Sequence, residues 1–325
     1  MQRMRIMLAA AAAAVGLGLA PAMAQTALTV MVFKGVTNLG LYAAQDKGFF
    51  KKRGLDVDVK FAPNSTEQRK GLVEGRYQII HSAADNGVAL VELAKADVVI
   101  LTGGDNGGNR LVVRPEIGSY ADLRGKTVAV DAPNTAYALV LYQMLKLNGV
   151  NKGEYTVSPQ GSSGKRLAAM KENKAVAGIL NMPFTLFAAQ AGMKDFGPAV
   201  KTIGPYQGGV VMTMRPWAKA NADTVVKYIQ GYVEGLRWAA NPANKDEAVA
   251  MLVRRLNIKP DMALAGYRHA TDPAEGLAKD AKFDMDGFKN VLKLRAELEG
   301  QWGGKPPAPD KYVDLSYYDR ALKGL

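Results

Sequence analysis

The sequence of 325 residues contains no cysteine and only two histidines, His81 and His269. Without cysteine the chain cannot form disulfides, use a thiolate nucleophile, or ligate zinc or iron–sulfur clusters through sulfur. It also offers no cysteine to which an N-terminal lipid could be attached. Two histidines are too few for a histidine-rich metal site. We therefore predict no metal site and no cofactor, and a protein that works by binding.

Long hydrophobic runs are also scarce. The run that concerns a membrane spans residues 6–20 and follows Arg3 and Arg5. It falls short of the roughly 20 residues that a stable membrane span needs. Residues 22–24 read Ala-Met-Ala, small residues of the kind that a signal peptidase requires. We predict that residues 1–24 are a cleaved signal peptide, with an uncleaved anchor as the alternative, and that the mature chain is periplasmic.

Positive charge is in excess, but it is not concentrated. The chain has 42 Lys and Arg against 30 Asp and Glu, a net charge of +12. Short basic clusters such as residues 51–53 have acids nearby, and an exported chain seldom meets nucleic acid. We therefore predict no nucleic-acid partner and assign the charge to solubility and to the steering of anions. With 48% hydrophobic and 22% charged residues, the chain can bury a core.

The sequence does contain a repeated pattern of strand, polar turn and helix. Predicted strands at 28–33 and 77–80 are each followed by a polar turn and a helical stretch. Strands at 127–130 and 176–180 repeat this arrangement about a hundred residues later. Alternating strands and helices predict parallel sheets flanked by helices. The predicted fold class is therefore α/β, with two Rossmann-like lobes.

We predict that two crossing segments join the lobes. Strand-like segments at 109–114 and 210–214 lie where the chain would leave the first lobe and return to it. Two crossings make the first lobe discontinuous, with residues 25–112 and 207–325, and make residues 113–206 the second lobe. Ligands of such architectures bind between the lobes, at the carboxyl ends of the strands.

Four fragments of the sequence resemble one known family. In chain order they read LYAAQDKGFFKKRGLDVDV, GLVEGRYQI, ADLRGKTVAV and WAANPANKDEAVAMLVRRL. They resemble the substrate-binding proteins of NitT/TauT-type ABC transporters, which serve nitrate, sulfonates and taurine. The thiamine-pyrimidine synthases are similar to the same group. The likeness extends in order over essentially the whole mature chain.

This resemblance implies the type-2 periplasmic binding protein fold, in which two lobes joined by two crossing segments close on a ligand in the interlobe cleft. It also implies a small-molecule ligand and, as partners, the permease subunits of an ABC importer with their cytoplasmic ATPase. The expected ligand is a small anion-bearing organic molecule, such as a sulfonate or a carboxylate. We expect the protein to be a monomer.

The turns that follow the strands supply candidate ligand contacts. Each turn opens a helix whose first N–H groups are unpaired and attract an anion. The resemblance points to the same four turns. The candidates there are Lys34, Thr37, Asn38, Ser82, Asp85, Asn86, Asn134, Thr135 and Asn181. Helix capping is the alternative role of Ser, Thr and Asn at such positions.

Three further candidates lie outside these turns. Asp105 and Asn106 belong to the segment GGDNGGN, whose glycines permit close approach of the backbone to a ligand. Tyr206 stands beside the return crossing. Carboxylates of Asp85 or Asp105 in the cleft would disfavour a purely anionic ligand and favour one that also carries an amine or another donor. Their alternative roles are a helix cap for Asp85 and a solvated turn for Asp105.

Two other functions stay open at this point. One is an enzyme on the same fold, either of the thiamine-pyrimidine kind or a hydrolase assembled from Ser82, His81 and Asp85. Neighbours in sequence rarely converge as a catalytic triad, and the sequence has no G-x-S-x-G elbow. The other is a periplasmic sensor that shares the binding step. We predict a binding protein that performs no catalysis.

Overall fold

The computed structural model describes residues 25–325. The predicted signal peptide, residues 1–24, lies outside the described residues. Within the described part, no helix is both long enough and apolar enough to span a membrane.

Ten strands of the described chain form two five-stranded sheets. Along the chain they are β1 (Thr26–Val32), β2 (Leu55–Phe61), β3 (Ile79–Ala83), β4 (Val98–Gly103), β5 (Arg110–Val113), β6 (Thr127–Val130), β7 (Thr156–Pro159), β8 (Ala177–Leu180), β9 (Lys194–Pro198) and β10 (Gly209–Met214). Both predicted strands that open the repeats therefore form: the one at 127–130 with the same bounds, and the one at 28–33 with its ends shifted by two residues and one residue.

Thirteen α-helices of residues 25–325 cover the sheets. They are α1 (Leu39–Asp46), α2 (Ser65–Val73), α3 (Ala84–Leu93), α4 (Ala136–Leu147), α5 (Ser163–Lys171), α6 (Phe184–Gln190), α7 (Ala199–Ile203), α8 (Arg215–Ala220), α9 (Ala222–Ala240), α10 (Lys245–Leu256), α11 (Pro260–Ala270), α12 (Met285–Glu299) and α13 (Ser316–Lys323).

The two sheets share one strand order. The first sheet runs β2-β1-β3-β10-β4 and the second runs β7-β6-β8-β5-β9. In each sheet the first three strands are parallel, and the fourth is antiparallel to both of its neighbours. Along the chain, strand β5 joins the second sheet before the three parallel strands β6, β7 and β8. Strand β10 returns the chain to the first sheet after the second sheet is complete. The predicted α/β architecture with two Rossmann-like lobes is confirmed.

The predicted lobe boundaries stay a prediction. A boundary between residues 112 and 113 would cut β5, all of which pairs within the second sheet. If the lobes are defined by their sheets, we propose that the crossings are residues 104–109 and 204–208. The segment at 210–214 then belongs to the first sheet and is not itself a crossing.

Helices are packed on the sheets through apolar stripes. In α9 the residues Val225, Ile229, Val233 and Leu236 recur every three or four positions and are all buried, as expected for one face of an α-helix. This face packs with α1 and α13 over the first sheet. Helix α12 packs against α3 of the first lobe and α4 of the second. The C-terminal part of the chain thus contacts both lobes.

Candidate functional site

A cavity of about 140 Å³ lies between the two lobes. It is lined by Lys34 after β1, Ser82 in β3, Asp131 after β6 and Asn181 after β8. These four parallel strands therefore direct their carboxyl ends toward one space, which is where α/β proteins place their ligands. We call this cavity the cleft. Its size suits a small solute.

Most of the residues predicted as ligand contacts line the cleft. The structure brings together eight of them: Lys34, Thr37, Asn38, Ser82, Asn86, Asp105, Thr135 and Asn181. Several also have structural tasks. Asn38 donates its amide to the carbonyl oxygen of Phe33 at 2.7 Å, and Thr135 donates its hydroxyl to the carbonyl oxygen of Ala132 at 2.8 Å. Their contact with a ligand stays a prediction.

Four predicted residues do not line the cleft. Asn106 is turned to the carbonyl oxygen of Pro273, to which its amide donates at 3.2 Å. Tyr206 is buried, with its ring 6.3 Å from that of Tyr137. Asn134 offers its backbone carbonyl oxygen to Arg295, and the Asp85 carboxylate is engaged with the same arginine. Contact of these four residues with a ligand stays a prediction, which the lining of the cleft does not support.

The Asp85 carboxylate is withdrawn from the cleft by a buried ion pair. Arg295 of α12 donates Nε to Oδ1 at 2.6 Å and Nη2 to Oδ2 at 2.5 Å, and both side chains are buried. Burial opposes the charge of Arg295, but the adjacent Asp85 carboxylate outweighs it and raises the pKa of the guanidinium. The pair is a structural element, in which the positive charge of Arg295 balances the negative charge of Asp85.

Arg166 of α5 lines the cleft and was not among the predicted residues. It is 5% exposed, and it donates Nε to the carbonyl oxygen of Ile179 at 3.0 Å and Nη2 to the hydroxyl of Ser163 at 2.9 Å. Its Nη1 donates to the carbonyl oxygen of Gly161 at 2.5 Å. Among residues 25–325, no carboxylate lies within 4.0 Å of its guanidinium nitrogens.

Burial lowers the pKa of Arg166 to about 10, and the charge of Asp131 acts in the opposite direction. Arg166 therefore remains positively charged at neutral pH. Neutral dipoles hold it in place without cancelling its charge. The sequence carried one signal for it: Arg166 stands beside Leu167 and four residues before Met170, on the buried face of α5. Arginine is seldom buried, so an arginine on such a face indicates a structural or binding role.

Two carboxylates also line the cleft. Asp105 accepts the backbone N–H of Gly107 at 2.8 Å, and burial raises its pKa against the effect of the N–H groups of Gly209 and Gly107. A side chain at position 209 would put its Cβ 2.1 Å from Oδ2 of Asp105, so a larger residue there would displace this carboxylate. Asp131, 9% exposed, accepts the backbone N–H of Ser65 at 3.0 Å.

The cleft therefore carries charge of both signs. Lys34 and Arg166 oppose Asp105 and Asp131, all four of them lining residues. Aromatic rings complete the wall, namely Phe33, Tyr137, Phe184 and Tyr232. A bare anion would meet two carboxylates in this space, whereas a ligand that carries both an anionic group and hydrogen-bond donors would satisfy both kinds of side chain.

His81 does not form a catalytic triad with its neighbours. Its Nε2 lies 2.7 Å from the hydroxyl oxygen of Tyr228, and its ring packs edge-on against Tyr232 at 4.9 Å. Desolvation by burial lowers the pKa of His81 to about 3, so the imidazole is neutral. Ser82 accepts a hydrogen bond from Asn86 at 3.0 Å, and Asp85 is paired with Arg295. The three residues of the hydrolase alternative thus face different partners.

Comparison with known proteins agrees with this arrangement. A Bacillus subtilis relative named "Putative binding protein YtlA" is 26% identical over 226 residues, which are 63% of this chain and 64% of the relative. The periplasmic nitrate-binding protein NrtA from Synechocystis has a similar structure, with a TM-score of 0.78 at 14% identity over 93% of this chain and 89% of that one.

A third similar structure is the alkanesulfonate-binding protein SsuA from Xanthomonas axonopodis bound to MOPS. Its TM-score is 0.71 at 14% identity, over 87% of this chain and 95% of that one. These likenesses show the periplasmic binding protein fold that the sequence predicted. The family model described as NMT1/THI5 like matches residues 37–245. Because that match covers more than half of the sequence, this chain belongs to the NMT1/THI5-like family.

Proposed function

We propose that this protein is the solute-binding component of an ABC importer. It captures a small organic molecule with an anionic group in the cleft and delivers it to permease subunits that a cytoplasmic ATPase drives. It acts in the periplasm as a monomer, after removal of residues 1–24. The nitrate-binding and alkanesulfonate-binding neighbours support this proposal. The observation that carries it is Arg166, a buried positive charge at the cleft without an adjacent carboxylate in the described chain.

In this proposal, the anionic group of the ligand binds the guanidinium of Arg166. A guanidinium has five N–H groups, and the contacts to Ile179, Gly161 and Ser163 use three of them. The others remain for a carboxylate or sulfonate, which guanidinium groups bind with paired hydrogen bonds. Asp105 and Asp131 are placed to receive donors of the same ligand, and so nitrate is a poorer fit than an organic zwitterion.

The mechanism is closure of two lobes around the ligand. The cleft is built from both lobes, and two crossing segments connect them, which is the geometry of a hinge. A ligand that contacts both walls binds the closed arrangement more tightly than the open one and shifts the population toward it. No bond in the ligand is made or broken.

A ligand panel tests the proposal. The purified protein is titrated with nitrate, a short alkanesulfonate, a carboxylate, an amino-acid zwitterion and a pyrimidine, and the melting temperature and the heat of binding are recorded. We expect at least one organic anion to bind. Arg166→Met should weaken that binding by about 10- to 100-fold, because a charge-assisted hydrogen-bond pair is lost.

The matched control for this variant is Arg114→Met. Arg114 is also in the second lobe and also donates to a backbone carbonyl, that of Met170 at 2.7 Å, but it does not line the cleft. Its variant should bind like the wild type. Equal affinity of the Arg166→Met protein and the wild type would show that the anionic group is not held there, and the proposal would fail at its main point.

An enzyme or a sensor would share the binding step and needs separate measurements. Mass spectrometry of the ligand before and after prolonged incubation with the protein distinguishes a binder from an enzyme. We expect the ligand to be recovered unchanged. Uptake of the ligand into cells, lost when the gene is deleted, distinguishes import from sensing.

A further inference from the structure

One helix of the first lobe is capped by the second lobe. Helix α2 begins at Ser65, and its own cap residue Asn64 accepts the N–H of Glu67 at 2.8 Å. The N–H of Ser65 instead donates to the Asp131 carboxylate, at 3.0 Å to Oδ2 and 3.3 Å to Oδ1. Asp131 follows β6 of the second lobe. An acid at a helix N-terminus is stabilising because the unpaired N–H groups and the helix dipole are positive there.

The reverse contact is also present. Helix α4 of the second lobe begins at Ala136, and its N–H donates to Oδ1 of Asn86 in the first lobe at 3.4 Å. Thr135, which precedes the helix, does not cap it with its side chain, since its hydroxyl donates to the carbonyl oxygen of Ala132. The amide nitrogen of Asn86 donates to Ser82 at 3.0 Å, which turns the amide oxygen toward α4.

Main-chain contacts run along the same seam between the lobes. The N–H of Ser162 donates to the carbonyl oxygen of Pro63 at 3.3 Å, and the N–H of Val36 donates to that of Met182 at 3.2 Å. All of these bonds join the first lobe to the second around the cleft. Because both partners of each bond belong to the chain, none of them requires an atom of a ligand.

We propose that Asp131 and Asn86 form a reciprocal latch, in which each lobe caps a helix N-terminus of the other and holds the lobes closed before a ligand arrives. The proposal rests on the proposed function, whose closure mechanism it deepens. It also narrows where the ligand can bind. The N-terminus of α4, one of the predicted anion seats, already meets an oxygen atom of Asn86, and Arg166 stays the proposed site of the ligand's anion.

The latch changes the energetics of binding. When the closed arrangement is already populated, less of the ligand's binding free energy is spent on shifting the equilibrium. The apparent affinity falls by the same factor as the fraction of molecules in the binding-competent state. Weakening the latch should therefore open the ligand-free protein and reduce the apparent affinity together.

The absence of cysteine in the chain allows a direct test. Exposed Lys70 on α2 and exposed Lys171 on α5 are each replaced by Cys and spin-labelled, and the distance between the labels is measured by pulsed electron resonance. The protein is first unfolded in denaturant and refolded to remove any ligand from the cell. We expect one short distance in this ligand-free protein.

Asp131→Ala in the same labelled protein should add a longer distance and lower the closed-to-open ratio about tenfold, because a charge-assisted hydrogen bond is lost. Asn86→Ala should lower the ratio less, about threefold to fivefold, since its hydrogen bond is neutral and longer. Asp122→Ala is the matched control. Asp122 also accepts two backbone N–H groups, at 2.8 and 2.9 Å, but from Gly118 and Ser119 of its own lobe.

Two results would overturn the latch. One is a long or broad distance in the ligand-free protein that carries only the labels. The other is an Asp131→Ala distribution that matches that of Asp122→Ala, with circular dichroism showing both variants folded. Because these distances need no ligand, they test the latch even when the panel identifies none, and a protein that binds its ligand but is open without it refutes the latch alone.

Discussion

Two buried arginines lie beside the cleft, and the chain compensates them in opposite ways. Arg295 is fully buried and makes a two-bond ion pair with the Asp85 carboxylate. Arg166 is 5% exposed and is held by two carbonyl oxygens and one hydroxyl. Arg295 therefore has a carboxylate in direct contact, whereas Arg166 has none within 4.0 Å in the described part of the chain and feels Asp131 only from farther away.

The kind of partner distinguishes a structural arginine from one that can bind a ligand better than the location of the arginine does. Both arginines are on helices close to the cleft, and both have buried guanidinium groups. A carboxylate partner neutralises a buried positive charge. Neutral dipoles lower the free-energy cost of burying that charge but leave the charge itself in place. The charge that remains uncancelled is the one available to a ligand. The following predictions test this assignment, beginning with the largest expected change.

Removal of the carboxylate partner should produce the largest effect on stability. Asp85→Ala leaves the Arg295 guanidinium buried without an opposite charge, and we expect the free energy of unfolding to fall by about 3–5 kcal/mol. Urea denaturation followed by circular dichroism measures this change. A double variant, Asp85→Leu with Arg295→Met, should recover much of the loss, because well-packed apolar side chains often replace a buried ion pair without cost.

A loss below about 1 kcal/mol in Asp85→Ala would contradict the assignment, because that is the range of an exposed ion pair. A loss in the double variant as large as in the single variant would point to packing rather than to charge. Either result would remove the contrast between Arg295 and Arg166.

The same measurement on Arg166→Met should show a smaller change. The substitution removes a buried charge but strands no carboxylate, and it leaves the carbonyl oxygens of Ile179 and Gly161 without donors. We expect a loss of about 2 kcal/mol, the scale of unsatisfied buried acceptors. The main effect should appear in ligand affinity instead. A loss of stability as large as that of Asp85→Ala would mean that Arg166 is structural.

His81, a half-buried base that lines the cleft and stays neutral, supplies a third case of charge compensation. Its pKa of about 3 lies below the ordinary value of 6.5. As pH falls below 6.5 the unfolded chain takes up a proton that the folded chain does not, so His81 destabilises the fold increasingly toward pH 3. The slope is at most about 1.4 kcal/mol per pH unit. His81→Gln should flatten the dependence of the unfolding free energy between pH 7 and pH 5.

The control for this prediction is the other histidine. His269 also has a pKa lowered by burial, with Glu275 and Asp105 opposing the shift, and His269→Gln should flatten the curve less. A pH profile of His81→Gln that superimposes on that of the wild type would show that His81 becomes protonated in the folded state. The contact with Tyr228 would then have to be reassigned.

Much of the cleft could be predicted from the sequence because parallel strands direct their carboxyl ends to one edge. Lys34 and Thr37 after β1, and Asn181 after β8, line the cavity for this reason. Asp85 was predicted by the same rule and lies elsewhere. Its partner Arg295 is 210 residues away along the chain, and no local pattern indicates which acid a distant arginine will neutralise.

Asp131 and Arg166 are the converse case: they line the cleft but were not predicted as ligand contacts. Asp131 lies in the polar turn that was predicted after the strand at 127–130. Its hydrogen bond with Ser65, however, joins the two lobes and depends on how they close. Arg166 was not among the residues predicted to contact a ligand. Its burial follows from the packing of α5 against β8, which the helical pattern alone does not specify.

Local sequence patterns were enough to predict the class of molecule: two α/β lobes, a repeated succession of strand, turn and helix, and candidate contacts in the turns. These follow from local periodicity and from the residue types that end strands and begin helices. Which buried arginine has a carboxylate partner, and which helix ends are closed by the opposite lobe, depended on the tertiary structure alone. Electrostatic energy depends on distance in space, and the residues concerned are brought together only when the lobes pack.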